Sequence, residues 1–258
     1  MKGDEGTDIV ALVPLIPPHS PSSSFTTPQE KRTFVQRLFT SIAPRYDWFN
    51  RLASLGLDQR WRRIAVARGA IGPDQRVLDV CAGTGDLAVL CARRQQGRGR
   101  VVGIDMNSAM LDGAKSKRDA LGLPIGWVQG DAESLPFADD IFDRLIIGFS
   151  TRNLSDLTVG LREMVRVLRP GGRLIILETG YPANPIMRGA YRLFLFTGAR
   201  LIGWLLTGRA WPFTYLARSV RGFLTPEQMV ERLQSCRTQV EYVPLSSGLA
   251  SLYLATKT

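Results

Sequence analysis

The sequence predicts an α/β fold of Rossmann-like type, a mostly parallel sheet flanked by helices, on three observations. The run Val77-Leu78-Asp79-Val80 enters Cys81-Ala82-Gly83-Thr84-Gly85-Asp86, which reads as a buried strand passing into a glycine turn that opens a helix. A second apolar run, Val101-Val102-Gly103-Ile104, ends in Asp105. Further short apolar runs then alternate with helix-period stretches, the pattern of βαβ units on a parallel sheet.

The elements follow in chain order. Residues 1–30, rich in Pro and with Ser22-Ser23-Ser24, read as a flexible tail. It has neither the basic start nor the apolar stretch of a secretion signal, and Asp4, Glu5 and Asp8 argue against a transit peptide. Residues 31–258 read as one domain. Its first part, 31–70, is helical: Phe34, Val35, Leu38, Phe39 and Ile42 recur at helical spacing. That helix must stop near Ala43-Pro44, and Asp58 is read as the N-cap of a helix through Gln59-Arg60-Trp61-Arg62-Arg63. The core, 71–180, continues with Trp127-Val128-Gln129-Gly130-Asp131-Ala132 and Phe142 to Phe149 as strands. Leu157, Leu161, Met164, Val165 and Leu168 mark a helix, an Arg169-Pro170-Gly171-Gly172 turn follows, and Arg173 to Glu178 form another strand. Residues 181–225 form an apolar and basic insertion, and 226–258 a C-terminal helix and strands.

Composition narrows the setting. Three cysteines without ligand spacing suit a reducing compartment. The one histidine, His19, lies in the tail, so no histidine serves as a core base or metal ligand, and no metal is expected. The net charge of +10 asks for a partner. No Asp or Glu lies between Glu178 and Glu227, while Arg188, Arg192, Arg200, Arg209, Arg218 and Arg221 do, interleaved with Leu, Phe and Trp. Arg200 breaks the longest apolar run, well short of the roughly 20 residues of a span. This mixture fits an interfacial element on an anionic membrane, or a pocket cap, better than a phosphate-tracking surface, and no nucleic-acid partner is expected.

The glycine turn and Asp105 describe a nucleotide site: glycines admit the ligand to the backbone, and the acid at the next strand tip takes a ribose diol. NAD, FAD and S-adenosylmethionine all carry that ribose. Asp86 at the helix start favours a cationic sulfonium over a pyrophosphate. The strand ending in Gly130-Asp131-Ala132 and the Leu168-Arg169-Pro170-Gly171-Gly172 turn resemble class I S-adenosylmethionine (SAM)-dependent methyltransferases. The segments Ile42-Ala43-Pro44-Arg45-Tyr46-Asp47, Leu55-Gly56-Leu57-Asp58 with Trp61-Arg62-Arg63, Gly83-Thr84-Gly85-Asp86, Gly130 to Phe137, and Arg152-Asn153 resemble, in the same order, the ubiquinone/menaquinone C-methyltransferases.

That resemblance covers the chain from about Phe34 onward. It implies a mostly parallel seven-stranded sheet with N-terminal helices and a helical cap insertion, with S-adenosyl-L-methionine as cofactor. It also implies C-methylation of a polyprenyl quinol, either demethylmenaquinol or the methoxy-benzoquinol precursor of ubiquinone. The implied cofactor residues are Asp105 on the ribose, Asp131 on the adenine amino group, Ala132 under its ring, Thr84, and Gly83, Gly85 and Gly148 through their backbones. The implied catalytic residues are Arg152 stabilising a phenolate, Asn153 orienting the same oxygen, and Tyr46 or Asp47 relaying the proton. Plainer readings exist: Arg152 as an ion-pair partner, Asn153 as an N-cap before Leu154, Tyr46 as a core aromatic. The implied setting is cytoplasmic, peripheral on the inner membrane face, with an organelle left open and a homodimer or quinone-synthesis complex as further partners. The chain departs from the family at Gly148 (usually Ser), Ser150-Thr151 (Gly-Leu), Phe213 (Tyr) and Tyr253 (often His). These departures leave another lipophilic phenol as acceptor, or a non-catalytic scaffold, as alternatives.

Overall fold

In the computed structural model, which describes residues 25–180 and 182–258, the apolar runs lie side by side as seven strands. These are β1 (Arg76–Val80), β2 (Arg100–Asp105), β3 (Ile125–Gln129), β4 (Phe142–Gly148), β5 (Leu168–Thr179), β6 (Thr238–Leu245) and β7 (Ala250–Lys257). The order is β3-β2-β1-β4-β5-β7-β6. Pairs from β3 to β5 are parallel, and β7 runs antiparallel between β5 and β6. Both faces of the parallel part are covered, so its strands are apolar almost throughout. In β1, Val77 packs on one face with α3 (Leu57–Arg68) and α4 (Asp86–Gln95), while Leu78 and Val80 pack on the other with α6 (Leu157–Val167) and α10 (Pro226–Gln234).

The first 24 residues of the expected tail lie outside the described residues. Its predicted end at 30 is moved back: Thr27 caps α1 (Pro28–Ile42), accepting from Glu30 N–H at 3.1 Å, and the Phe25 ring lies 5.4 Å from Phe34. Helix α1 ends where Pro44 requires, a single 3-10 turn follows at Ala43–Arg45, and α2 (Tyr46–Ala53) begins at once. Asp58 is not an N-cap. Gly56, at φ 77°, starts α3, and Asp58 is buried inside its first turn, accepting from Ser54 Oγ at 3.0 Å. The Arg169–Gly172 turn is a bulge within β5: Phe142 pairs Leu168, and Arg144 already pairs Arg173. Arg169 reaches Asp143 at 2.6 Å across that bulge.

The insertion folds as α7 (Pro185–Phe196), α8 (Gly198–Thr207) and α9 (Trp211–Arg221). Together with α1 and α2 it builds a separate apolar core from Leu38, Ile42, Phe49, Ala199 and Phe213. Phe213 is fully buried with its ring centroid 4.3 Å from Phe49. Gly203 faces the same ring: a Cβ built on it would lie 2.1 Å from a Phe213 ring carbon. Gly203→Ala is therefore expected to lower stability by about 1–3 kcal/mol through overpacking, although alanine is the better helix former. Urea unfolding measures this, and an unchanged or higher midpoint would show that the ring has room to move.

Candidate functional site

The carboxyl ends of β3, β2, β1 and β4 sit side by side, and the loops leaving them border a partly open cavity with about 930 Å³ of empty space, open solvent included. After β1 the chain turns through left-handed backbone at Cys81 (φ 53°), Gly83 (φ 55°) and Gly85 (φ 81°) before α4 starts. A non-glycine residue held in that region, as Cys81 is, is strained, and such strain gathers at ligand sites. Burial pushes the Cys81 thiol well up, so it is no nucleophile. A Cβ at Gly83 would meet nothing within 4 Å, so this part of the loop faces open space. Gly85 acts from behind and does not line the cavity, contrary to its expected ligand contact: a Cβ there would meet the Trp127 ring at 2.6 Å.

Asp105, at the tip of β2, accepts from Gly83 N–H and Asn107 N–H, each at 2.8 Å, one on each carboxylate oxygen. Each oxygen keeps lone-pair capacity for a ligand diol. Asp131 and Ala132 follow β3 in the same wall. Asp131 accepts from Glu133 N–H at 2.9 Å and pairs with Arg32 of α1 at 3.1 Å. Thr84 lines the cavity, but its hydroxyl donates to Asp47 at 2.6 Å. Asp47 in turn pairs with Lys117 at 2.9 Å, and Lys117 also with Asp86. Asp47, expected as a proton relay, lines neither this cavity nor the next one. It clasps α2 onto the glycine loop.

Asp79, inside the β1 run, also lines this cavity. Its Oδ2 accepts from Ala88 N–H at 2.8 Å, while its buried Oδ1 has no partner among the described residues. Burial pushes this carboxyl up to about 7, opposed by the Ala88 hydrogen bond and the Arg62 charge. Arg62 and Glu178 also went unassigned. No periodicity marks either one; the only signal for Glu178 was an acid at the end of a buried run. The Glu178 carboxylate is buried and accepts from Thr151 Oγ1 at 2.7 Å and Thr179 N–H at 2.8 Å, besides pairing with Arg152.

A second, apolar cavity of about 960 Å³ adjoins the first, between α1, α2 and the insertion helices. Tyr46, Arg62 and Asn153 belong to both linings, and Arg152 to the second alone. Arg152 is held by Glu178 and by Phe149 O at 2.6 Å, while its buried Nε has no partner among the described residues. The ion-pair reading of Arg152 is thus realised, yet it leaves one donor unused. Asn153 is not an N-cap: it closes a 3-10 turn (Thr151–Asn153), Asp156 caps α6, and Asn153 Oδ1 accepts from Tyr215 Oη at 3.2 Å. Among the departures, Gly148 and Ser150 line the first cavity, whereas Tyr253 lines neither and stacks on Tyr242 at 5.2 Å across β6 and β7.

A parallel sheet continued by an antiparallel β7, with acids beyond the tips of β2 and β3, defines the class I SAM-dependent methyltransferases. Two solved SAM-dependent methyltransferases share the fold at 18% identity. One from Aquifex aeolicus matches with TM-score 0.57, over 76% of this chain and 89% of its own. One described as putative, from Methanococcus maripaludis, matches with TM-score 0.54 over 93% and 97%. The chain belongs to the ubiE/COQ5 methyltransferase family, whose model matches residues 26–257. The demethylmenaquinone methyltransferase of Deinococcus radiodurans is 41% identical over 229 residues, 89% of this chain and 95% of that protein. The ubiquinone/menaquinone biosynthesis C-methyltransferase of Hahella chejuensis is 38% identical over 235 residues, 88% and 93% respectively.

S-adenosylmethionine is accordingly the cofactor, and the first cavity fits it. Asp105 offers acceptors for a diol, the loop at Gly83 is open, and the unpartnered Asp79 oxygen suits a cation. Because the Asp79 pKa is raised, its neutral form favours the fold fully below about pH 3.8, and that contribution is lost as pH rises through about 7. A bound cation reverses the shift. Cofactor binding between pH 6 and 7 is therefore expected to release up to about one proton, read calorimetrically as a binding enthalpy that varies with buffer ionisation enthalpy. Asp79→Asn should abolish that dependence, and buffer-independent binding by the unaltered chain would remove Asp79 from the site.

Proposed function

We propose that the chain methylates a ring carbon of a polyprenyl quinol seated in the second cavity, with demethylmenaquinol as the acceptor to assay first. The observation that carries this reading is the shared wall: transfer needs reacting atoms about 3 Å apart, and Tyr46, Arg62 and Asn153 border both cavities. The names of the relatives support the acceptor class. The apolar second lining suits a prenylated ring.

When bound, S-adenosylmethionine supplies an electrophilic methyl group. The protein's task is to make the ring carbon nucleophilic, which requires the reduced quinol with an ionised hydroxyl. A phenolic pKa is ~10, so ionisation at neutral pH costs about 4 kcal/mol. A guanidinium close by recovers roughly 1–3 pKa units of this. Arg152 fills that role: Glu178 and Phe149 O fix its position, and the unpartnered Nε–H remains to donate to the ring oxygen. Asn153, its carbonyl oxygen taken by Tyr215, keeps its amide N–H groups for the same oxygen. Burial holds the Tyr46 phenol above its ordinary value, against the Arg62 charge. Tyr46 therefore stays neutral and passes the proton through its hydroxyl rather than acting as a phenolate base.

Arg152→Lys is expected to lower turnover by at least about tenfold with cofactor affinity unchanged, because one ammonium cannot hold Glu178, Phe149 O and the acceptor together. Single-turnover kinetics with a short-chain demethylmenaquinol under reducing conditions checks this, and full turnover would exclude Arg152.

The same helices carry the membrane reading. On their outer faces Trp48, Leu52, Ile186, Leu193, Leu201, Trp204 and Leu205 are exposed, beside the exposed Arg188, Arg192, Arg200 and Arg209. No helix among the described residues is long and apolar enough to cross a membrane. Contact with an anionic bilayer would set the second cavity against the lipid that holds the prenyl tail. Sedimentation with anionic vesicles is expected to exceed that with zwitterionic ones and to fall with salt; indifference to both would exclude this contact.

A further inference from the structure

We infer that Arg62 binds the α-carboxylate of the S-adenosylmethionine aminoacyl arm. This rests on the first cavity being the cofactor site, with the nucleoside placed as proposed. Asp131 and Asp105 then hold the nucleoside at the β3 and β2 tips, and the sheet order sends the aminoacyl arm the other way, past β1 to the tip of β4. That arm ends in an ammonium and a carboxylate. Asp79 and Asp86 supply anions at this end, so the carboxylate needs a cation.

Among the described residues two cationic side chains line the cavity, Arg32 and Arg62. Arg32 stands at the nucleoside end, engaged by Asp131 at 3.1 Å and Glu133 at 3.0 Å. Arg62 stands at the other end. Its side chain is only 7% exposed, and its Nε lies 3.6 Å from Asp58 and 3.9 Å from Asp86. Both are ion pairs too long for hydrogen bonds, and Nε has no hydrogen-bond partner among the described residues. A buried guanidinium donor left unmatched is costly, and a carboxylate is its natural complement. The guanidinium carbon sits 5.1 Å from the Phe149 ring centroid, a cation–π contact that restrains its position. Phe149 itself is left-handed, at φ 57°.

Gly148 lies beside this group. A Cβ built there would lie 2.6 Å from Leu87 Cδ1, closer than real contacts allow, and 3.5 Å from Arg62 Nη1, an ordinary contact. Leu87 thus occupies the ground in front of Gly148, which offers the carboxylate no side-chain partner of its own.

The competing account is that Arg62 only ties α3 to α4 through Asp58 and Asp86. Calorimetry on the full chain separates the two with a pair of probes: S-adenosylmethionine and its decarboxylated form, which keeps nucleoside, sulfonium and amine. The unaltered chain is expected to prefer the carboxylate form by about 10- to 100-fold. In R62Q that preference should collapse to within about threefold, while affinity for the decarboxylated form stays within about threefold. A retained preference, or an equal loss for both probes, overturns the inference. If R62Q does not fold, R62K keeps the charge near Asp58 and Asp86 but loses the planar donors, and its preference should fall by about fivefold or more. Full preference in R62K also overturns it. Failure of the unaltered chain to bind either probe would instead overturn the assignment of the cavity.

Discussion

The hydrogen bond from Gly83 N–H to the Asp105 carboxylate, at 2.8 Å, joins the loop after β1 to the tip of β2. It answers a general problem of parallel sheets, whose strand ends all lie on one edge and leave loop N–H groups in search of acceptors. Here the acids at that edge meet the need: Asp105 serves Gly83 and Asn107, Asp79 serves Ala88, and Asp131 serves Glu133. Glu178, one strand further along, serves Thr179 and anchors Arg152. The result is a row of carboxylates, of which Asp79, Asp105 and Asp131 line the first cavity, an arrangement that suits a cationic nucleoside.

Concentrating anions has a consequence for the surrounding helices. Lys117 and Gln59 bridge Asp86 to Asp47 and Asp58, and Arg32 bridges Asp131 and Glu133. These contacts draw α1, α2 and α3 over the sheet edge. The N-terminal helices thereby close the cofactor cavity and, with the insertion, form the second one. The two cavities share Phe39, Tyr46, Arg62 and Asn153 in their linings.

The departures from the family separate on structural grounds. Tyr253 is a packing position in a cross-strand aromatic pair, while Phe213 packs in the apolar cap and also lines the second cavity. Thr151 donates to Glu178 and thus supports Arg152. Gly148 and Ser150 alone of these line the cofactor cavity. Phe213 borders the second cavity, so the departures touch both cavities.

Local pattern carried much of this protein. The strands β1, β2, β4 and β5, the α1 stop at Pro44, and the placing of Asp105, Asp131, Thr84 and Gly83 on one edge were all legible, because each depends on runs of neighbouring residues and on parallel βαβ geometry. Side-chain partners across the chain were not. Asp58 was misread as a cap because the left-handed Gly56 starts α3 two residues earlier and leaves Asp58 within its first turn. Asp47 looked like a proton relay until α2 was seen clasped to Thr84 and Lys117, 37 and 70 residues away. Sequence by itself determined the architecture and the nucleoside end, since periodicity and turn chemistry are short-range. The tertiary structure alone decided which buried charges find partners and which remain for a ligand, since that balance is struck between residues brought together only by packing.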